Sequence, residues 1–295
     1  MLRSKTFGSK IADALIWFII IIITFVCLAP LINIVAVSLS SKASAAGNLV
    51  YLWPVKFNLS SYKTLLSDKQ FFVSFGISIQ RVILGGAINM FLTILMAYPL
   101  SKEVRQFKYR NIYMWFIVFT MLFNGGLIPW YLTIKNLHLL NTIWALVIPG
   151  AVPIFNVILL MNFFRSVPKS LEEAAVVDGA GPWYTMFKIY VPISLPALAT
   201  ITLFCVVGHW NDFFHGLILM SSPAKYPLQT YIQQLTVQVS TLNLTNPEDI
   251  KRFAEISNRT LNSAKIVVST IPLLLIYPFL QKYFITGIVM GSVKE

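Results

Sequence analysis

With 295 residues, 57% hydrophobic and only 12% charged, the chain has too few charged groups to cover the surface of a soluble protein of its length, and it reads as a protein that crosses a membrane several times. Its net charge of +12 comes from Lys and Arg dispersed around apolar runs, with no basic stripe, which argues against nucleic-acid binding and for basic flanks that orient membrane spans. Cys27 and Cys205 lie in apolar runs without metal-ligand spacing and read as small buried hydrophobes, not as a disulfide or a metal site.

The first apolar run, about 14–37, is of full span length and follows Arg3, Lys5 and Lys10, so it predicts a retained transmembrane helix with a cytoplasmic N terminus, not a cleaved signal peptide. Pro30 falls inside it as a potential kink. Residues 39–72 then read as a polar and aromatic loop outside the cell. A second span, about 73–100, carries Gln80, Arg81 and Asn89 at membrane depth, with Gly85 and Gly86 permitting close approach of another helix. An arginine there must face protein or water, which makes Arg81 a functional candidate beside the simpler readings of snorkelling or a structural ion pair. The short segment 101–111 holds Lys102, Arg105, Lys108 and Arg110 against Glu103, and it predicts a cytoplasmic loop.

Spans three and four are predicted at about 112–132 and 142–164. The first has Asn124, Gly125, Gly126 and Pro129 near its outer end; the second has Pro149, Pro153, Asn156 and Asn162. Such residues permit kinked, cavity-lining helices, because neighbours or water can take up the freed backbone groups. A fifth span, about 197–220, contains Gly208, His209, Trp210, Asn211, Asp212, Phe213, Phe214 and His215. Ionisable groups at that depth are costly unless they pair or line a hydrated cavity. Aromatic rings beside amide and carboxylate groups suit sugar faces and hydroxyls, whereas His209, Asp212 and His215 lack the further ligands of a metal site. The competing reading is a hydrogen-bonded network that packs helices together. Residues 221–262, with Pro223, Pro227 and the charged patch Glu248, Asp249, Lys251 and Arg252, read as a second outer loop; a last span, about 263–285, carries Pro272 and Pro278 and leaves the tail 286–295 in the cytoplasm. The expected fold is all-α: one transmembrane domain over 1–295, core about 73–285, with six transmembrane helices.

Between spans four and five lies a polar insert, 168–196, too polar to cross a bilayer. Ser170 and Glu173 have the spacing of a capping box, which predicts a helix starting near Leu171. Ala174 and Ala175 favour its continuation, Gly179 after Asp178 is a left-handed stop, Gly181 and Pro182 open a second helix, and Pro192 should end that one.

The order Glu173, Ala174, Ala175, Gly179, Ile189, Pro192, together with Asp178, Gly179 and Ala180 in succession, resembles the EAA loop of binding-protein-dependent ABC importer permeases, with Val191 where leucine is usual. Trp210, Asn211, Asp212 and Phe213 resemble the fifth helix of carbohydrate permeases like the second membrane subunit of maltose-type importers. The run Gly125 to Pro129 resembles the group handling complex saccharides, and Tyr283, Phe284, Gly287, Gly291 and Lys294 resemble the C-terminal signature. The resemblance implies an importer subunit in a bacterial-type cell membrane, working with a second permease, a cytoplasmic ATPase dimer that binds ATP and Mg, and an extracytoplasmic solute-binding protein. It also implies that 168–196 supplies coupling helices which fit a cleft on the ATPase, with Phe187 and Ile189 as apolar anchors, Gly179 as the unobstructed turn, and Glu173 as a cap or a contact to a basic partner group. An interfacial hairpin lying on lipid would need a stronger apolar face and more basic residues. No cofactor is expected in this chain, since no GxxxxGK[ST] run is present to cradle phosphates. Substrate contact is expected at Asn156, Trp210, Asn211 and Asp212, with Arg81 on the same path. The alternative from another class is a stand-alone ion-coupled transporter using Arg81, Asp212 or the histidines as relays; no nucleophile and base pairing supports an intramembrane enzyme.

Overall fold

The computed structural model describes residues 7–241 and 259–292, with side chains over 8–234, 259–279 and 281. The patch Glu248, Asp249, Lys251 and Arg252, the N-terminal Arg3 and Lys5, and the side chains of Tyr283, Phe284, Gly287, Gly291 and Lys294 lie outside the described residues. Every regular element among the described residues is helical. Among the described residues, three helices are long and apolar enough to cross a membrane: Gly8–Ser38, Lys69–Ser101 and Arg259–Phe279. Three bent pairs would each add one if taken as a single span: Arg110–Leu122 with Leu127–Asn136 (111°), Ile143–Gly150 with Ile154–Ser166 (46°), and Pro182–Ile193 with Leu195–Asn211 (83°).

The chain divides into two compact units, Met1–Lys69 with Gln234–Thr270, and Gln70–Gln233 with Ile271–Glu295. The first contains α1 (Phe7–Ser38), α2 (Lys42–Ala46), α3 (Ser60–Ser67) and the opening turns of α15 (Arg259–Ser292). Helix α1 runs unbroken through Pro30, and its most apolar stretch has no buried residue. A helix apolar on all sides needs lipid or another protein around it. Cys27 is exposed there, so the expectation of a buried thiol fails at this position: no described residue covers that stretch of the helix. Near its end Ala36 and Val37 pack with Ala45 and Val50. Asn33 donates to the carbonyls of Val50 (3.0 Å) and Tyr51 (2.6 Å) there. The expected loop 39–72 is thus largely structured, and Lys265 of α15 pairs with Asp68 at 2.7 Å.

In the second unit the central element is α4 (Lys69–Ser101), from Gln70 onward. Up to Ala97 its buried positions are Phe71, Ser74, Ser78, Arg81, Gly85, Asn89, Thr93 and Ala97, a three- and four-residue spacing that puts small and polar side chains on one face; Tyr98 and Leu100 are buried beyond it. That inverts the soluble pattern: polar groups turn toward neighbouring helices and apolar ones outward, as lipid demands. Around α4 come α5 (Arg110–Leu122), α6 (Leu127–Asn136), α7 (Ile143–Val147), a 3-10 turn at Ile148–Gly150, and α8 (Ile154–Ser166). The third expected span is not straight. Asn124 Oδ1 accepts from Gly126 N at 2.9 Å, Gly126 adopts φ +91°, and α6 leaves at 111° to α5. The main core joins α4, α5 and α8 to the later helices through Ala97, Ile117, Leu160, Phe164, Ile201 and Cys205.

The polar insert forms α9 (Lys169–Val177), α10 (Pro182–Thr185), a π turn at Met186–Tyr190 and α11 (Val191–Ile193); α12 (Leu195–Asn211) follows. Two expectations are corrected here. The helix starts at Lys169 with Pro168 as its N-cap and no side-chain cap bond, so Ser170 already lies within the helix and the capping box does not form. Pro192 does not end the second helix, which continues to Ile193: the widened π turn stands just before the residue whose missing N–H would interrupt a regular helix. After α12, Asp212 and Phe213 break the expected fifth span before α13 (Phe214–Leu219); a 3-10 turn at Pro223–Lys225 and α14 (Leu228–Thr241) follow.

Candidate functional site

The break between α12 and α13 is where the polar groups that the sequence reading put at membrane depth meet. Asp212 leaves the helix in an extended conformation, and its Oδ1 accepts from His215 N at 3.2 Å, which satisfies one of the free N–H groups at the start of α13. Its Oδ2 receives Arg81 Nη2 at 2.5 Å and also bonds His215 Nδ1, while Arg81 Nη1 donates to the Asp212 carbonyl at 3.0 Å. The Arg81 side chain is only 3% exposed, so its charge is neutralised by a carboxylate and a carbonyl from the helix break and not by water.

One turn deeper, Gly85 is the close approach that the sequence marked: a Cβ there would come within 2.5 Å of His209 Nε2, whereas at Gly86 it would meet nothing within 4 Å. The Asn89 amide, turned so that its nitrogen faces Gly85 O at 2.9 Å and the carbonyls of Gly150 and Ala151 at 3.3 Å, accepts from His209 at 3.2 Å. Asn156 is 5% exposed and donates to Cys205 Sγ at 3.4 Å, a weak acceptor that leaves most of its hydrogen-bonding capacity free among the described residues.

These side chains line a cavity of about 300 Å³, with Pro149, Pro153 and Phe204 as its apolar wall. Of the five residues expected on a substrate path, Arg81, Asn156 and Asp212 stand in the wall. Trp210 and Asn211 do not: Trp210 is buried edge-on against Phe75 at 5.6 Å, and Asn211 is exposed. Asn89, His209 and His215 join the wall; their spacing from Arg81 and Asp212 by helical turns was the available signal.

The insert forms the other site. Gly179 adopts φ +80°, Ala180 N bonds Ala175 O at 2.8 Å and Gly179 N bonds Val176 O at 3.0 Å, which closes a Schellman turn after Asp178. Gly181 is extended and Pro182 takes the first position of the second helix, as the sequence predicts. The two helices flank a groove of about 550 Å³ lined by Ala174, Ala175, Asp178, Gly179, Ala180 and Ile189. Beside it stand exposed apolar groups: Val177, and Phe187 stacked on Trp183 at 6.3 Å between ring centres. Glu173 is exposed and makes no side-chain bond among the described residues, whereas its neighbour Glu172 does. Lys102 Nζ lies 2.7 Å from Glu172 Oε1, and Tyr190 OH donates to Glu172 Oε2 at 2.6 Å. Burial would raise the Glu172 carboxyl, but the bonds from Lys102 and Tyr190 outweigh it and hold the group below its ordinary value. Burial lowers Lys102, with Glu172 opposing.

Residues 73–290 match the family described as binding-protein-dependent transport system inner membrane component. Protein LplC of Bacillus subtilis (strain 168) is 41% identical over 91% of this chain and 90% of its own length. The polygalacturonan/rhamnogalacturonan transport system permease protein YtcP of the same organism is 38% identical over 97% and 99%. Among solved structures, a chain of a bacterial ABC transporter involved in the import of the acidic polysaccharide alginate superposes with a TM-score of 0.85 at 35% identity, covering 95% of this chain and 98% of that one. The protein described here belongs to the family of binding-protein-dependent transport system inner membrane components.

Proposed function

We propose that this chain is a permease subunit of an ATP-driven importer for an oligosaccharide. The observation that carries the reading is the insert 168–196: an exposed helix pair closed by a left-handed glycine, on a chain whose likeness to an alginate importer subunit extends over nearly its whole length. The family consists of transport components, not enzymes, so ATP and Mg would bind in a separate ATPase dimer, with the groove at Ala174, Ala175 and Ile189 and the ring of Phe187 as its docking surface. A second permease and an extracytoplasmic solute-binding protein complete the assembly. In this reading the chain crosses the membrane six times, the fifth crossing being α12 with α13 and not the insert helices before it, with both termini and the insert in the cytoplasm of a bacterial-type cell; the dense basic segment at Lys102, Arg105, Lys108 and Arg110 supports that orientation. The cavity at Arg81, Asn156 and Asp212 is this subunit's share of the saccharide path.

The test is uptake of labelled oligosaccharide into proteoliposomes holding this chain with its companion permease, ATPase and binding protein. Uptake that requires ATP and all four components is the expected result. Uptake by this chain alone, driven by an ion gradient, would overturn the proposal in favour of a stand-alone transporter.

A further inference from the structure

Lys102 stands immediately beyond the end of α4, the helix that carries Arg81 and Asn89 into the cavity. Its ammonium group meets three partners from separate elements: Glu172 of α9 at 2.7 Å, the Tyr98 ring of α4 at 4.1 Å and the Tyr190 ring of the π turn at 4.2 Å. The partners also hold one another. Tyr190 OH bonds Glu172, Tyr98 and Tyr190 meet edge-on at 5.2 Å, and Phe164 of α8 packs against Tyr190 at 5.4 Å. Lys102 and Glu172 are 11% and 18% exposed, unlike the neighbouring Glu103–Lys169 pair at 58% and 74%. An exposed pair of the second kind contributes little, because water screens it. A cation enclosed by a carboxylate and two ring faces is instead held in one geometry.

We propose that Lys102 is a positioning residue for energy coupling: it clamps both helices of the insert to the end of α4, so that a displacement of the insert moves the cavity wall with it. This inference rests on the importer reading above. A loop tethered to its two flanking helices alone could swing about Pro168 and Ser194; the clamp adds a third point, on the helix that reaches the cavity. Two guanidinium groups brace the same place, since Arg110 Nε and Arg165 Nη2 both donate to Leu100 O, at 2.9 Å and 3.3 Å.

The experiment uses the assembled importer in proteoliposomes and reads saccharide moved per ATP hydrolysed. Lys102→Met keeps an unbranched side chain, one atom shorter, and removes its charge. The expected outcome is that the complex still assembles and hydrolyses ATP while transport per ATP falls about tenfold, with Lys102→Arg restoring most of it. An unchanged ratio in Lys102→Met overturns the proposal. A second measurement stands even if that variant does not assemble. In a Cys27→Ser background, Lys102→Cys with Glu172→Cys is bridged by a bis-methanethiosulfonate linker. If the two sites move as one body, bridging raises transport per ATP; if bridging blocks transport, they separate during the cycle and the clamp is refuted. A wild-type complex that shows no ATP-dependent uptake would defeat the importer reading itself, an outcome distinct from either of these.

Discussion

Removing Asp212 alone from the Arg81–Asp212 pair should cost more than removing both partners. In Asp212→Leu the guanidinium stays at a site only 3% exposed, with the carboxylate gone and only the residue-212 carbonyl facing Nη1. Stranding a buried charge costs about 3–5 kcal/mol. Arg81→Met is milder, because Asp212 keeps its bonds from His215 N and Nδ1 and is 18% exposed; leaving such a group without one partner costs about 1–3 kcal/mol. The double variant Arg81→Met/Asp212→Leu leaves no orphaned charge and should recover to within about 2 kcal/mol of the parent. A loss of 3–5 kcal/mol corresponds to roughly 6–20 °C in Tm for a domain of this size, so the four-member cycle is measurable by thermal unfolding in mild detergent. Simple additivity of the two losses in the double variant would show that Arg81 and Asp212 do not depend on one another, and the reasoning from burial and geometry would be wrong.

How far the sequence could be read depended on how local each signal was. The apolar runs marked the spans because twenty apolar residues have few other uses, and Gly179 after Asp178 marked a turn whose φ of +80° only glycine adopts freely. The Ser170–Glu173 spacing was also local, yet it misled: Pro168 nucleates the helix at Lys169, which leaves Ser170 inside it and its hydroxyl without a capping role. Pro192 misled by a single residue, since a wide π turn at Met186–Tyr190 precedes it and the helix ends at Ile193. The clamp at Lys102 was beyond local reading. Glu172 and Glu173 are indistinguishable in sequence, and what selects Glu172 is its place on the helix face toward an ammonium group from a distant segment. The polar face of α4, by contrast, is written in the spacing of Ser74, Ser78, Arg81, Gly85, Asn89 and Thr93, and it locates the cavity once the helix is read as inside-out.

Three further outcomes follow from the same geometry. Gly179→Val places a β-branched residue at φ +80°, which costs at least 1–2 kcal/mol locally; the protein should insert normally while ATP-dependent uptake is lost, and full uptake would refute the assignment of the turn to coupling. Gly85→Ala drives a Cβ into the His209 ring and should destabilise by about 1–3 kcal/mol, whereas Gly86→Ala, with open space around it, should be neutral or stabilising by about 1 kcal/mol through helix propensity; equal effects at the two positions in thermal unfolding would contradict the packing. The last concerns pH. Glu172 titrates below its ordinary value in the folded chain, so its contribution is fully present above the unfolded value of about 4.3 and disappears as pH falls through the lower folded value. Exposed carboxylates such as Glu103, held down by its bond from Lys169, share the direction, so the informative quantity is the difference between wild type and Glu172→Gln. That difference should be constant from pH 7 to about 5 and narrow as pH falls below the unfolded value of about 4.3, as protonation does to the wild type what the substitution has already done. A gap that persists unchanged at pH 3 would mean that the carboxylate's charge is not what joins Glu172 to Lys102 and Tyr190.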